Sequence, residues 1–186
     1  MEDKHEETVY ILDFLPHGRM DAKHVTRESI AYALGENYFK LFELIMNPNV
    51  YVNIGDQIYI GKDPTKRKEV KFIKRRVEYE EISSTAQSQL ETVIKIIVES
   101  HEDRFTKFIN TAPAITRKFH TLELLPGIGK KTVLLFVDEI KKAPFKNFKD
   151  IEERVGVHDL VNIFTQRIKQ EIMDPNEKYH LFVMKQ

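Results

Sequence analysis

Leu124-Leu125-Pro126-Gly127-Ile128-Gly129-Lys130-Lys131-Thr132 is the stretch that decides how this 186-residue chain is read. Pro126 lacks an N–H and restricts Leu125, so a helix running into it must stop. Gly127 and Gly129 reach backbone angles closed to other residues and put no side chain in a ligand's way. From Lys130 a new helix is expected, with Val133, Phe136, Val137 and Ile140 along one face. The N–H groups of its first turn have no partner inside the helix and lie at the positive end of its dipole. A phosphate suits that position. The plainer alternative is a tight turn that only joins two helices.

Working outward, charge sets a constraint. Lysine and arginine number 29 and so do aspartate and glutamate, a net charge of zero, where a nucleic-acid binder ordinarily shows a basic footprint. The distribution is uneven. Between residues 62 and 76 eight bases (Lys62, Lys66, Arg67, Lys68, Lys71, Lys74, Arg75, Arg76) meet two acids, Asp63 and Glu69. Tyr59, Phe72 and Tyr79 lie close by, and bases beside exposed aromatics are what single-strand-binding surfaces use. A solvated edge strand whose lysines block aggregation has the same composition. The absence of cysteine excludes disulfides, zinc-thiolate sites and iron–sulfur clusters. Residues 1 to 8 carry no apolar core of a signal peptide, and no apolar run approaches the ~20 residues of a membrane span. A soluble, cytoplasmic protein without membrane contact is expected.

The pattern predicts an α+β, two-domain chain: a small β-barrel over residues 1–82 and an all-α domain over 83–186. Residues 1 to about 8 read as frayed. Val9 to Leu15 reads as a strand closed by Pro16-His17-Gly18, and a polar loop with Arg19, Lys23 and His24 follows. Ser29 to Leu34 suits a strand better than a helical turn, and Tyr38 to Met46 suits a strand covered on both faces. A short strand follows the Gly55-Asp56 turn. In the last, Glu69 to Glu78, the apolar residues change parity, which implies a bulge near Phe72 to Lys74. Short strands separated by Gly, Pro and Asn turns favour a barrel.

Ser84 to Gln87 has capping-box spacing and opens a helix with Leu90, Val93, Ile94 and Ile97 on one face. Ser100 and Asp103 can cap a second helix carrying Phe105, Phe108 and Ile109. Thr116 can cap a third, holding Phe119 and Leu122, before the hairpin. Lys141 and Lys142 suit the C-terminal end of the next helix. A helix from Phe148, a turn at Val155-Gly156-Val157-His158, and a helix from Asp159 to Ile172 repeat the arrangement with one glycine. The apolar Leu181 to Met184 should dock.

The candidate ligand-binding residues are therefore Gly127, Ile128, Gly129, Lys130, Lys131 and Thr132 at the hairpin, with Lys62, Lys66, Arg67, Lys68, Lys74, Arg75 and Arg76 in the basic region. Lys130 and Lys131 either neutralise phosphates or are two solvated lysines. The glycine that a nucleotide-binding loop requires at its start would fall at Leu124, so that reading fails. The seven histidines show no paired ligand spacing, so no metal is expected. No catalytic constellation and no cofactor motif are found.

Residues Phe119 to Ile140 resemble the helix-hairpin-helix motif, whose hairpin grips a nucleic-acid backbone without reading bases. The turn at Val155 to His158 looks like a degenerate second copy. The resemblance places Lys131 where the lyase-type DNA glycosylases of that motif carry a Schiff-base lysine. The segment Arg154-Val155-Gly156-Val157-His158-Asp159 departs from their catalytic-aspartate region. The Gly55-Asp56-Gln57-Ile58-Tyr59-Ile60-Gly61 stretch resembles part of an oligonucleotide/oligosaccharide-binding (OB-like) barrel. With Tyr10 to Gly18, Tyr38 to Glu43 and Tyr59 to Lys62, the hairpin is similar to an archaeal family of unknown function described as nucleotide- or RNA-binding. That resemblance spans about residues 8 to 184. It implies an OB-like barrel joined to a helix-hairpin-helix domain, and a non-enzymatic nucleic-acid binder with RNA favoured over DNA. It also implies work on ribosomal RNA or with the ribosome and other translation components. A protein-interaction adaptor remains the second reading and a DNA lyase the third.

Overall fold

The computed structural model describes residues 5–20, 25–26 and 28–184. They form two compact units, residues 1–93 with 171–186, and residues 94–170. In the first unit lie β1 (Thr8–Leu15), β2 (Arg19–Met20), β3 (Val25–Thr26), β4 (Ile30–Gly35), β5 (Leu41–Met46), β6 (Gln57–Tyr59) and β7 (Val70–Arg76). Five of these make one antiparallel sheet in the order β6-β1-β4-β5-β7, while β2 and β3 pair separately. The expected barrel is realised as a curled half-barrel, because β6 is only three residues long and does not pair with β7.

Every residue of β4 and β5 is buried. Val9, Ile11, Ala31, Ala33, Phe42, Leu44 and Met46 cluster on one face, and the alternating positions, Tyr32, Leu34 and Ile45 among them, go to the other. Each fully buried Leu or Ile in such a sheet contributes about 1.5–3 kcal/mol. The strand at Leu41 starts three residues later than expected from Tyr38. Phe39 adopts a left-handed φ of 51°, and the Gly35 N–H closes the turn on the Lys40 carbonyl at 2.8 Å. The bulge expected near Phe72 is present: Glu43 faces Arg75 and Leu44 faces Ile73, which leaves Lys74 between them. A second bulge leaves out Lys71, and a third, at Leu12 of β1, was not signalled.

Two expectations need correction here. Residues 6 to 8 are not frayed: Thr8 starts β1, and Glu6 is buried, accepting the N–H groups of Asn37 (2.9 Å) and Tyr38 (2.7 Å). Burial pushes the Glu6 carboxyl up, and those backbone bonds oppose the shift. The polar loop contains the β2–β3 ribbon, with Arg19 Nη1 donating to the Tyr32 hydroxyl at 3.0 Å; Lys23 and His24 lie outside the described residues.

The helices are α1 (Ser84–Ser100), α2 (Glu102–Thr111), α3 (Lys130–Lys142), α4 (Phe148–Val155) and α5 (Leu160–Met173). Ser83, one residue before the expected cap, accepts the Ala86 N–H on its hydroxyl at 3.1 Å. In the second unit Phe164 gathers Phe105 at 4.8 Å and Phe148 at 5.8 Å between ring centroids, and Phe136 meets Phe145 edge-on at 5.9 Å. The helix expected over Phe119 and Leu122 is absent. Its place is taken by the ribbon β8 (Ala114–Thr116) and β9 (Phe119–His120) and a 3-10 helical turn, Thr121–Leu124. The span between Pro113 and Pro126 is too short to nucleate a helix and still turn, and Ile115 and Thr116 are β-branched. His120 and Glu123 close the 3-10 turn: His120 Nδ1 accepts the Leu122 N–H, and the Glu123 carboxylate accepts the His120 N–H. No helix among the described residues is long and apolar enough to cross a membrane.

Candidate functional site

At the paired-glycine turn, Leu125 and Ile128 are buried and act as anchors, while Pro126, Gly127 and Gly129 are exposed. The Ile128 N–H bonds the Leu125 carbonyl and the Val133 N–H bonds the Gly129 carbonyl, at 3.1 and 3.0 Å. The latter is the first rung of α3, so the amides of Lys130, Lys131 and Thr132 precede the helical ladder. No side chain caps this end. Gly127 has φ 78°, which demands glycine. Gly129 does not: its φ is −95°, and a methyl added there would meet nothing within 4 Å. What its missing side chain leaves is open room beside the first amides of α3. Lys130 and Lys131 are exposed and Thr132 is half-buried; among the described residues neither lysine has an acidic partner.

The other end of α3 is clamped by Arg154 from α4. Its guanidinium donates to the Glu139 carboxylate (3.2 Å), the Asp150 carboxylate (3.2 Å) and the carbonyls of Glu139 (2.6 Å) and Ala143 (2.8 Å). It also lies 4.4 Å from the centroid of the Phe145 ring. Lys142 and then Arg154 hold the Glu139 carboxyl below the usual glutamate range. Lys141 pairs with Asp138 at 3.2 Å, so the lysines at this end are engaged, as a helix C-terminus favours. The α4–turn–α5 pair forms, with Gly156 left-handed at φ 77°, but it does not repeat the first turn, which follows a 3-10 helical turn and not an α-helix.

The basic region behaves differently. Lys74 and Arg75 both end on Glu43, 2% exposed, at 2.7 and 2.9 Å. Arg75 also pairs with Glu81 at 2.5 Å and Lys71 with Glu28 at 2.6 Å. Arg67 donates to the Gly61 carbonyl at 2.6 Å, and Lys66 sits near Asp63 and over the Tyr59 ring. Lys62, Lys68 and Arg76 are exposed. Arg75 holds the Glu81 carboxyl below its ordinary range. Phe72 points outward, 42% exposed, as a stacking surface requires, while its neighbouring bases are held by carboxylates as those of a solvated edge strand would be. The hairpin and the basic region belong to different units.

Sequence reasoning missed Glu43, Arg154 and Glu171. The Glu171 carboxylate, 2% exposed, accepts the N–H groups of Leu181, Phe182 and Val183 at 2.9, 3.0 and 2.9 Å. With the Met184 N–H on the Tyr38 carbonyl, it docks the apolar tail.

Residues 5–184 match the family model described as "Protein of unknown function (DUF655)", and the chain belongs to that family. An uncharacterised protein of Methanocaldococcus jannaschii, MJ0038, is 41% identical over 181 residues, which cover 97% of this chain and 81% of that protein. The crystal structure of Af1531 from Archaeoglobus fulgidus, of the same family, superposes with a TM-score of 0.87 at 38% identity, covering 96% of this chain and all of that one. Both relatives are archaeal, as the sequence resemblance implies.

Proposed function

We propose that this DUF655 member binds nucleic acid in the cytoplasm without catalysing a reaction, RNA in preference to DNA, and works on ribosomal RNA or other translation components. In this reading the half-barrel corresponds to an OB-like barrel, and the two turns at Gly127–Gly129 and Gly156 to tandem helix-hairpin-helix elements. The observation that carries it is Gly129. Neither backbone angle nor packing requires glycine there, and its side-chain-free space adjoins unbonded amides flanked by Lys130 and Lys131. Phosphates of any sequence fit such a seat. The basic region contributes secondarily, through Lys62, Lys68 and Arg76. Fluorescence anisotropy on structured RNA, single-stranded RNA and duplex DNA at several salt concentrations tests the proposal. Log affinity should fall linearly with log salt. A folded Lys130→Glu/Lys131→Glu double variant that binds like the wild type would remove the hairpin from the site.

A protein-interaction adaptor is the second reading, favoured by Leu134 and Leu135 on α3, 64% and 52% exposed. Retention of a protein partner after nuclease treatment, and its loss in Leu134→Ser/Leu135→Ser, would support that reading. The DNA-lyase reading is weakest, since Lys131 is exposed and lacks the burial that makes a lysine nucleophilic. Borohydride trapping of a covalent adduct on abasic DNA would restore it.

A further inference from the structure

The first unit contains a cleft of about 250 Å³ that the phosphate seat does not use. One side is the junction of β5 and β7, where the Val77 N–H bonds the Leu41 carbonyl at 3.1 Å and Phe42 faces Arg76. The opposite side is the segment after α5. Three N–H bonds to Glu171 and one to the Tyr38 carbonyl fix that segment in place, so the cleft is built rather than incidental. Its apolar walls include Phe39, Leu41, Val77, Ile172 and Met184.

His180 lines this cleft, and both of its ring nitrogens are buried with no hydrogen-bond partner among the described residues. Buried polar atoms are ordinarily paired, and an imidazole always has a donor to place. The acids at the cleft are already engaged. Glu171 accepts the three tail amides, and Glu78 has interactions of its own. Lys40 lies over the Tyr38 ring at 5.2 Å. Arg76 differs from its β7 neighbours Lys71, Lys74 and Arg75, each of which has a carboxylate partner. It is exposed at the cleft, and no acid pairs with it among the described residues.

We propose that this cleft binds a small organic anion. Its apolar body lies against Phe39, Leu41, Val77 and Ile172, beside the His180 ring, and its carboxylate or phosphate sits on the Arg76 guanidinium. The planar fork of arginine matches either oxyanion, and the volume, just below the range of drug-sized sites, suits a ligand of about one ring. The site stands independently of nucleic-acid binding by the hairpin, which uses residues of the other unit, and shares only Arg76 with the basic region.

The test is a titration of the full-length protein with three probes sharing one body: benzoate, phenyl phosphate and the neutral benzamide. The imidazole ¹H–¹⁵N signals of His180, assigned by their loss in His180→Gln, report occupancy. Saturable shifts are expected with one or both anions, the stronger naming the oxyanion preferred, and about tenfold weaker binding of benzamide. Arg76→Gln, with its fold checked by its amide spectrum, should weaken the preferred anion by about the same factor and leave benzamide unchanged. The proposal is overturned if His180 stays unperturbed by all three probes at millimolar concentration. It is also overturned if benzamide binds as tightly as both anions, or if folded Arg76→Gln binds them undiminished.

Discussion

Along the sequence, residues 62–76 are the basic part of this molecule and Lys130-Lys131 a minor one; in the folded chain much of that difference is lost to ion pairs. Lys71, Lys74 and Arg75 end on Glu28, Glu43 and Glu81, whereas Lys130 and Lys131 stand exposed at a helix end whose dipole disfavours them. Glu43 is remote from Arg75 in sequence but directly opposite it across the β5–β7 pair. Charge counted along a chain is counted before strands bring acids to it. An anion is therefore better received where cations are unpaired than where they are numerous.

The largest effect should come from Lys130→Glu/Lys131→Glu, which is expected to lower RNA affinity on the order of a hundredfold at low salt. Lys74→Gln should change it by no more than about twofold. Anisotropy on the same RNA decides, and equal losses would erase the contrast between the two regions. Next is Arg154→Ala, expected to destabilise the protein by roughly 2 kcal/mol, because it breaks charge-assisted bonds to both α3 and α4. A denaturant midpoint close to wild type would mean that the clamp does not hold α3 in place.

The glycines sharpen the comparison on a smaller scale. Gly127→Ala should cost about 1 kcal/mol, since its φ of 78° is strained for any side chain. Gly129→Ala should leave stability within about 0.5 kcal/mol of wild type yet weaken RNA binding. Unchanged binding would mean that the space at Gly129 is not used. The smallest effect concerns pH. Folding holds the carboxyls of Glu81 and Glu139 low, by Arg75 in the one and by Lys142 and Arg154 in the other. The stability they lend is complete above the ordinary glutamate value and is lost as pH falls through their lower folded values. Chemical denaturation followed across that window should show a shallower acid loss in Arg154→Gln than in wild type. Parallel curves would leave Glu139 without a part in acid stability.

The central strands and most helices were legible because their signals are local. The apolar run from Leu41 to Met46, interrupted only by Glu43, the parity change around Phe72 and the helical spacing of Leu90, Val93, Ile94 and Ile97 need no remote partner to be read. The Pro126–Gly129 turn was legible for the same reason. What escaped notice depended on distant groups. Nothing near Glu6, Glu43 or Glu171 distinguishes them from the solvated glutamates of this chain, and their burial follows from amides and guanidiniums supplied elsewhere. The β8–β9 ribbon escaped because Thr116, Phe119 and Leu122 have a spacing that a helix also accommodates, and the prolines that shorten the segment were read only as stops. Within the candidate site the amides and lysines of the turn were readable, and the neutralisation of the basic strand was not.

Glu171 makes the last stretch of chain a structural clasp rather than an ornament. Any shortened form ending before Leu181 would strand a carboxylate in an apolar interior without the three amides that compensate it, a costly arrangement for an ion. Proteolytic trimming of those few residues would therefore be felt at the start of β5, through Tyr38, as much as at the trimmed end.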